Sequence, residues 1–240
     1  MNKEELIQEL QKININLSDE QFTQIDAFCD YLLEYNQHTN LTAIRDKESI
    51  FLKHIYDSLT IIKVVDFNTI NTVLDIGTGP GFPGIVLKFI YPNIQITLLD
   101  SNNKKTKFLE TVKNNFQLEN ITIVNSRAEE YINNHRESFD LVTSRAVARL
   151  NILVELAIPY IKIDGLFIAM KGIKEETESE EGIESAKLLS AKIKEVYQTI
   201  LPIEKSERTI YVFQKEKATN NKYPRRYEQI KKNPLKIITK

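Results

Sequence analysis

The chain has 240 residues, and its 42% hydrophobic and 27% charged residues are ordinary for a globular domain with a sizeable core. Its single cysteine, Cys29, excludes an intrachain disulfide framework and a thiolate metal cluster. The opening MNKEELIQEL lacks the order of a signal peptide, and no apolar run is long enough to cross a bilayer. We therefore expect a cytoplasmic protein without a membrane segment.

The first 65 residues are predicted to be helical. Ser18 and Gln21 have the spacing of a capping box, and apolar residues from Phe22 to Tyr35 recur at helical spacing. A second strong helix is expected to begin at Asp46 or Ser49. This region should form a helical extension ahead of the remaining chain.

From Thr72 onward, short apolar runs alternate with amphipathic stretches. The predicted strands span 72–76, 94–100, 121–125, 139–144, 165–172, 196–202 and 208–216. A helix is predicted after each of the first five strands. The first ends near residue 91, the next three cover 103–116, 127–133 and 149–161, and the last ends near residue 194.

Five strands that alternate with helices predict a doubly wound α/β fold, with a parallel sheet covered on both faces. Only a turn-length segment separates the last two strands, so they should form an antiparallel hairpin at one edge. The expected organisation is a helical extension at 1–65, an α/β core at 66–216 and a basic tail at 217–240.

The tail is defined by its charge. Residues 215–240 hold nine Lys and Arg against two Glu, a local charge of +7, whereas the whole chain has a formal net charge of −1. A basic terminus is often merely solvated, but this asymmetry also permits contact with a nucleic acid.

A glycine-rich loop, LDIGTGPGFPG at 74–84, follows the first predicted strand and holds four of the seven glycines. Ligands of doubly wound sheets bind at the carboxyl ends of strands, where such loops and the following helix N-terminus present backbone N–H groups. Asp100 ends the second strand, 19 residues after Gly81, where a carboxylate can accept hydrogen bonds from ribose hydroxyls. These features fit either a dinucleotide or S-adenosylmethionine.

Three details favour S-adenosylmethionine. The loop has the spacing Gly77-x-Gly79-x-Gly81 followed by Phe82, and not the G-x-G-x-x-G pattern of dinucleotide-binding proteins. A bulky Phe82 suits packing against an amino-acid-sized ligand better than the close approach of a diphosphate to the backbone. Asp75 precedes the loop and would be unfavourable beside a diphosphate. Dehydrogenase-like Tyr-x-x-x-Lys pairs occur only in a terminal strand and in the tail, at Tyr211/Lys215 and Tyr227/Lys231.

Motifs in order along nearly the whole chain resemble the bacterial small-subunit ribosomal RNA guanine-N7 methyltransferase G family, also called glucose-inhibited division protein B. They are Tyr35-Asn36, Asn40-Leu41-Thr42, KHIYDSL at 53–59, LDIGTGPGFPG, LLDSNNKKTKFL at 98–109, SRAEEY at 126–131, FDLVTSRAVARL at 139–150, AMKG at 169–172 and YPRR at 223–226. The family often has Trp where Tyr35 stands and Arg where Lys53 stands.

The resemblance implies a Rossmann-like class I methyltransferase with a mostly parallel seven-stranded sheet and S-adenosylmethionine as its cofactor. It implies Gly77 and Phe82 in the cofactor loop, Ala128 and Glu129 beside the adenine, and Arg145 near the reacting end. Strand-end geometry adds four further residues to this predicted site, namely Asp75, Gly79, Gly81 and Asp100. The implied substrate is one guanine, nucleotide 527 of 16S ribosomal RNA, as naked RNA or in the small ribosomal subunit.

Methylation at guanine N7 needs no general base, because N7 carries a lone pair and no proton. The three histidines, His38, His54 and His135, show no metal-ligand spacing, and no catalytic triad can be assigned. We therefore expect Arg145 to position the substrate and no metal to bind. The predicted RNA contacts are Lys104, Lys105, Lys107, Arg145, Arg149, Lys171 and the tail residues Arg225 and Arg226.

Several alternatives stay open at the level of sequence. The chain can be a methyltransferase for a small molecule or protein, or a non-catalytic protein that binds S-adenosylmethionine or RNA. Asn36, Asn40, His54 and Asp57 fit either RNA contacts or helix caps and interhelical hydrogen bonds, and a structural role is favoured for Asp57. We expect a monomer.

Overall fold

The computed structural model describes residues 1–236, so Lys240, which was counted in the basic tail, lies outside the described residues. Seven strands form one sheet. They are β1 (Thr72–Ile76), β2 (Gln95–Asp100), β3 (Ile121–Asn125), β4 (Phe139–Arg145), β5 (Ile161–Lys171), β6 (Ala191–Ile200) and β7 (Glu207–Lys215).

The strand order in the sheet is β3-β2-β1-β4-β5-β7-β6. The first five strands are parallel, whereas β7 is antiparallel to both β5 and β6. This arrangement confirms the predicted mostly parallel seven-stranded sheet with an antiparallel hairpin at one edge. The chain adds β2 and β3 on one side of β1 and β4 and β5 on the other. This switch in the direction of winding places a crevice at the carboxyl end of β1.

The helices surround this sheet. They are α1 (Lys3–Lys12), α2 (Asp19–Thr39), α3 (Lys47–Ile50), α4 (Asp57–Leu59), α5 (Gly84–Ile90), α6 (Asn103–Asn115), α7 (Ala128–Tyr131), α8 (Leu150–Ala157), α9 (Glu176–Leu188) and α10 (Tyr227–Lys232). A π-helical segment, Phe51–Tyr56, joins α3 to α4. Among residues 1–236, no helix has the length and apolar character needed to cross a membrane.

Side-chain caps fix the beginnings of the N-terminal helices. Ser18 and Gln21 form the predicted capping box at the start of α2, and Asn2 and Glu5 form another at the start of α1. Asp46 caps α3 by accepting a hydrogen bond from the backbone of Ser49. Each cap satisfies backbone N–H groups that have no partner within the helix.

The alternation of side chains along the strands divides the interior into two hydrophobic clusters, one on each face of the sheet. In β1, Val73 packs into the cluster beneath α1, α2, α5 and α6, while Leu74 packs into the cluster beneath α8 and α9. The N-terminal helices therefore share a core with one face of the sheet.

Phe28 of α2 is the centre of the contact between the helical extension and the sheet. Its ring is fully buried and lies within 6.4 Å, centroid to centroid, of the rings of Phe82, Phe89, Phe108 and Phe116. Edge-to-face and tilted pairs of this kind add to the free energy of burying the rings.

Among the element boundaries that differ from the sequence prediction, three lie around β5 and β6. The helix predicted to end near residue 194 ends at Leu188, and β6 begins at Ala191 instead of residue 196. β5 begins at Ile161 instead of residue 165. In each case the sequence pattern at the boundary is polar or ambiguous, and pairing with a neighbouring strand decides the backbone conformation. Ala191 pairs with Lys215, and Ile161 pairs with Phe139.

The basic segment after β7 folds back onto α8. The Arg225 guanidinium donates to both carboxylate oxygens of the fully buried Glu155, at 2.8 and 2.6 Å, and the Arg225 backbone N–H donates to the same group at 2.9 Å. Ile230 of α10 is fully buried, and Arg136 donates to the backbone oxygens of Tyr223 and Thr219.

We expect Arg225→Ala to lower the free energy of unfolding by about 3–5 kcal/mol, because it leaves the buried Glu155 carboxylate without its charged partner. Urea denaturation measures the change. Arg226→Ala is the matched control, since Arg226 is exposed, and it should change stability by no more than about 0.5 kcal/mol. Equal small losses in both variants would contradict a structural role for the Arg225–Glu155 pair.

Candidate functional site

The carboxyl ends of β1, β2, β3 and β4 surround a cleft of ≈ 290 Å³. Among the predicted cofactor residues, Gly77, Asp100, Ala128 and Glu129 line it, and so does Lys105 from the predicted RNA set. The remaining lining residues are Ile76, Leu99, Ser101, Ser126, Arg127, Ala146, Val147, Leu156 and Tyr227. The topology thus brings residues from five separate segments of the chain to one edge of the sheet.

The glycine loop after β1 has a left-handed backbone at three positions, with φ of 68° at Gly77, 62° at Gly79 and 107° at Gly81. A side chain at Gly81 would collide with Ile85 and Leu109, so this glycine serves close packing under the loop. At Gly79, by contrast, a Cβ would meet only the Lys105 ammonium, at 3.9 Å. Gly79 therefore leaves room beside Lys105 on the side where a side chain would stand.

Asp100, at the end of β2, connects the glycine loop to the second strand. One carboxylate oxygen accepts from the backbone N–H of Gly79 at 2.9 Å, and the other accepts from that of Asn102 at 2.8 Å. The Lys105 ammonium lies 3.6 Å away. Each carboxylate oxygen has further lone pairs, so Asp100 can still accept hydrogen bonds from a ligand in the cleft.

Asp75 lies beneath the loop and is fully buried. Its Oδ2 accepts from the Thr78 hydroxyl at 2.7 Å and from the Gly84 backbone at 3.0 Å, so it ties both ends of the loop to β1. Within the part of the chain that the structure describes, Oδ1 has no hydrogen-bond partner. Burial raises the pKa of the Asp75 carboxyl to about 6, because the charged form loses its hydration there.

Phe82 does not line the cleft; it is 2% exposed and lies in the core. Its ring stacks on the His54 imidazole at 4.3 Å between centroids, and the Arg145 guanidinium carbon lies 5.4 Å from its ring centre. Phe82 therefore supports two polar side chains at the end of β4 and in the π-helical segment.

Arg145, the last residue of β4, is held by three groups of the N-terminal region. Its Nη1 donates to the Lys53 carbonyl at 2.8 Å and to Asp57 Oδ2 at 3.0 Å, and its Nη2 lies 3.0 Å from His54 Nδ1. Because a guanidinium only donates, His54 Nδ1 is the acceptor. The imidazole is then neutral, with its proton on Nε2 facing the Thr42 hydroxyl at 3.1 Å.

Burial and the neighbouring Arg145 charge lower the pKa of His54 to about 3. Both effects disfavour a second proton on the ring, so the imidazole is neutral. His54 and Lys53 lie in the π-helical segment, a backbone form that often occurs at functional sites.

A second cleft adjoins the first at Ala146. Lys53, Asp57, Arg145, Met170, Lys171, Gly172 and Arg208 line it, and Ala146 lines both clefts. Asp57 is 5% exposed and accepts from Arg145 and from Arg208 Nε at 3.1 Å, so one carboxylate orients two guanidinium groups. Its position agrees with the structural role favoured from the sequence.

Most of the other predicted RNA contacts have partners within the chain. Lys171 lies 2.7 Å from Glu178, and Arg149 lies 3.1 Å from Glu181 on the surface. Lys104, Lys105 and Lys107 follow one another along the first turns of α6 beside the first cleft. Asn36 and Asn40, left open above, hydrogen-bond the loop after α2, to Thr42 and Arg45 respectively.

Sequence reasoning missed Arg208, Arg127 and Tyr227 as cleft residues. Arg208 lies at the start of a strand distant in sequence from the glycine loop, and no local motif marks it. Tyr227 was considered only as half of a chance dehydrogenase-like pair. The one signal available for it was its position just after the YPRR motif, four residues beyond Tyr223.

No cluster of three or more His, Cys, Asp or Glu side chains within residues 1–236 is arranged to hold a metal ion. The charged groups that line the first cleft are the carboxylates of Asp100 and Glu129 and the cations of Lys105 and Arg127.

The sequence is similar to a family of known proteins over most of its length. The family model GidB, described as rRNA small subunit methyltransferase G, matches residues 21–208. Proteins called ribosomal RNA small subunit methyltransferase G from Lysinibacillus sphaericus (strain C3-41) and Bacillus subtilis (strain 168) are 41% and 42% identical over 237 residues. These alignments cover 98% of this chain and 100% and 99% of the relatives.

Solved structures share the fold at low identity. P. horikoshii TYW2 in complex with MeSAdo is similar with a TM-score of 0.54 and 12% identity, over 67% of this chain and 62% of that one. The YcgJ protein from Bacillus subtilis has a TM-score of 0.52 and 14% identity, over 69% and 100%. The extent of the family match and the full-length relatives show that the chain belongs to the rRNA small subunit methyltransferase G family.

Proposed function

We propose that the chain transfers a methyl group from S-adenosylmethionine to N7 of a single guanine, nucleotide 527 of 16S ribosomal RNA. The observation that carries the proposal is the meeting of two different clefts at Ala146. One has the features of a nucleoside site, and the other is lined by cations. The names of the relatives support small-subunit ribosomal RNA as the substrate.

The residues of the first cleft fit S-adenosylmethionine. Gly79, in the loop beside the cleft, leaves room next to Lys105 where any other residue would place a side chain, and Asp100 keeps free lone pairs at the cleft for ribose hydroxyls. Ala128 is small enough to leave room for the adenine ring. The volume of the cleft is near the lower end of those found for small-molecule sites.

In the proposed arrangement, the loop backbone at Gly77 and Gly79 faces the amino-acid end of the cofactor, Asp100 holds the ribose, and Ala128 and Glu129 lie beside the adenine. Arg145 lies toward the reacting end. The buried residues Asp75, Gly81 and Phe82 act from beneath, by fixing the loop and the residues around it.

The chemistry that the bound cofactor supplies is a methyl group on a sulfonium, which needs no further activation. Guanine N7 offers a lone pair and no proton, so the side chains need only align the base and exclude water. Such positioning lowers a barrier by up to ~7–11 kcal/mol in favourable cases. Neutral His54 accepts a hydrogen bond from Arg145 and so orients a guanidinium instead of moving a proton.

The second cleft is suited to the RNA backbone around the target guanine. Four cations, Lys53, Arg145, Lys171 and Arg208, line it together with the carboxylate of Asp57. Two of them also form ion pairs with other carboxylates, Lys53 with Glu204 and Lys171 with Glu178, at 2.7 Å each. Guanidinium groups bind phosphate through paired hydrogen bonds, and Asp57 holds two of them in place.

Beyond the second cleft, we propose that Lys104, Lys105, Lys107, Arg149 and Arg226 extend the RNA contact. Arg225 was also predicted to contact RNA, but its pairing with Glu155 supports a role in holding the C-terminal segment against α8.

The reaction is tested with S-adenosylmethionine labelled in its methyl group and small ribosomal subunits that lack N7 methylation. We expect label in 16S ribosomal RNA and strand cleavage at nucleotide 527 by chemistry specific for N7-methylguanine. Label on an exocyclic amine or a ribose would contradict the proposal. RNA binding without any transfer would indicate a non-catalytic protein, and turnover only on small molecules or proteins would indicate another methyltransferase.

We expect Gly79→Val to weaken S-adenosylmethionine binding by at least about tenfold, because the side chain projects into the open space and strains a left-handed backbone. Isothermal titration calorimetry measures the affinity. Gly172→Val is the matched control, since a Cβ there meets no atom within 4 Å and the residue lines only the second cleft. Equal affinities of the two variants would argue against the loop assignment.

The single-turnover rate of methyl transfer should be flat between pH 7 and pH 9. N7 has no proton to lose, His54 with its pKa near 3 stays neutral throughout, and Asp75 with its pKa near 6 stays ionised. Quenched-flow assays at constant ionic strength check this. A rate that rises tenfold per pH unit in this range would reveal a general base and contradict the mechanism.

A further inference from the structure

The C-terminal segment returns to the first cleft. Tyr227, the first residue of α10, lines that cleft together with Gly77, Asp100 and Ala128, although it lies 127 residues after Asp100 in the chain. From the sequence, this segment is expected only to contact RNA.

The position of Tyr227 is fixed by contacts on both sides of it. Two residues earlier, Arg225 donates three hydrogen bonds to the buried Glu155 carboxylate. Three residues later, Ile230 is fully buried in the cluster beneath α8 and α9. The Tyr227 ring itself is partly buried against this cluster. The ring is therefore held at the cleft by a packed segment.

The surroundings of the ring are suited to a flat aromatic ligand. The Arg127 guanidinium carbon lies 5.6 Å from the centre of the Tyr227 ring, and both residues line the cleft. Leu156 and Ala128 contribute apolar surface beside them. Aromatic rings and guanidinium planes are the groups on which bases stack in proteins.

We propose that Tyr227, together with Arg127, forms the wall of the first cleft that contacts the adenine ring of S-adenosylmethionine. The C-terminal segment is thus part of the cofactor site. This inference rests on the proposed function, because it takes the first cleft to be the cofactor site. It adds a recognition residue from outside the α/β core, and it explains why a segment after the last strand is anchored by a buried ion pair.

The chain contains no tryptophan, so Tyr227→Trp creates a single fluorescent reporter at the cleft. We expect its emission to be quenched or shifted when S-adenosylhomocysteine is added, with the same dissociation constant that calorimetry gives for this variant. Tyr197→Trp, in β6 at the far edge of the sheet, is the matched control and should not respond. Binding seen by calorimetry without any change in the emission of the Tyr227→Trp variant would overturn the inference.

Two further variants separate the ring from the hydroxyl group. Tyr227→Ala should weaken binding of S-adenosylhomocysteine about tenfold, in keeping with the loss of one stacking contact, whereas Tyr227→Phe should bind like the wild type. Wild-type affinity in Tyr227→Ala, or an equal loss in Tyr227→Phe, would overturn the role of the ring while leaving the proposed function in place. If the wild type itself failed to bind, the proposed function and this inference would fall together.

Discussion

A carboxylate without access to water holds the loop on which both clefts depend. Asp75 Oδ2 joins the Thr78 hydroxyl to the Gly84 backbone, so the chain between β1 and α5 is fixed at both ends. This loop places the Gly79 N–H on Asp100, which in turn ties β1 to β2. A buried charge carries a cost in hydration, which the raised pKa of Asp75 reflects, and the two hydrogen bonds offset part of it. The first cleft thus depends on the buried hydrogen bonds that Asp75 of β1 accepts from the glycine loop.

The helical extension contributes to the site as well as to the core. Phe28 packs on Phe82, Phe82 stacks on His54, and His54 accepts from Arg145, so contacts run from α2 to the end of β4. Asp57 adds the link to Arg208 on β7. The doubly wound sheet supplies the first cleft together with Tyr227 of the C-terminal segment. The second cleft, which distinguishes this chain from the bare fold, needs the π-helical segment and the residues after it.

Much of the sheet was predictable, because β1 to β4 are short apolar runs bounded by clear turns and the glycine loop marks the carboxyl end of β1. Asp100, predicted from strand-end geometry, and Ala128 and Glu129, implied by the family resemblance, all line the first cleft, because the carboxyl ends of β2 and β3 meet at the same end of the sheet. Arg208 and Tyr227 reach the clefts through tertiary packing from distant segments, and no local spacing encodes that. The start of β6 was missed for a similar reason: its polar residues 192 and 194 form a strand because β7 lies alongside.

The register shift between Ile193 and Glu195 lies in a strand at the edge of the sheet. β6 is the outermost strand beside β7, and the exposed backbone of such a strand is a template on which another chain can add a strand. The bulge bends this edge, and Lys192 and Lys194 place charge along it. Edge-to-edge aggregation through β6 is thereby disfavoured, even though the strand also exposes Val196 and Ile200 to solvent.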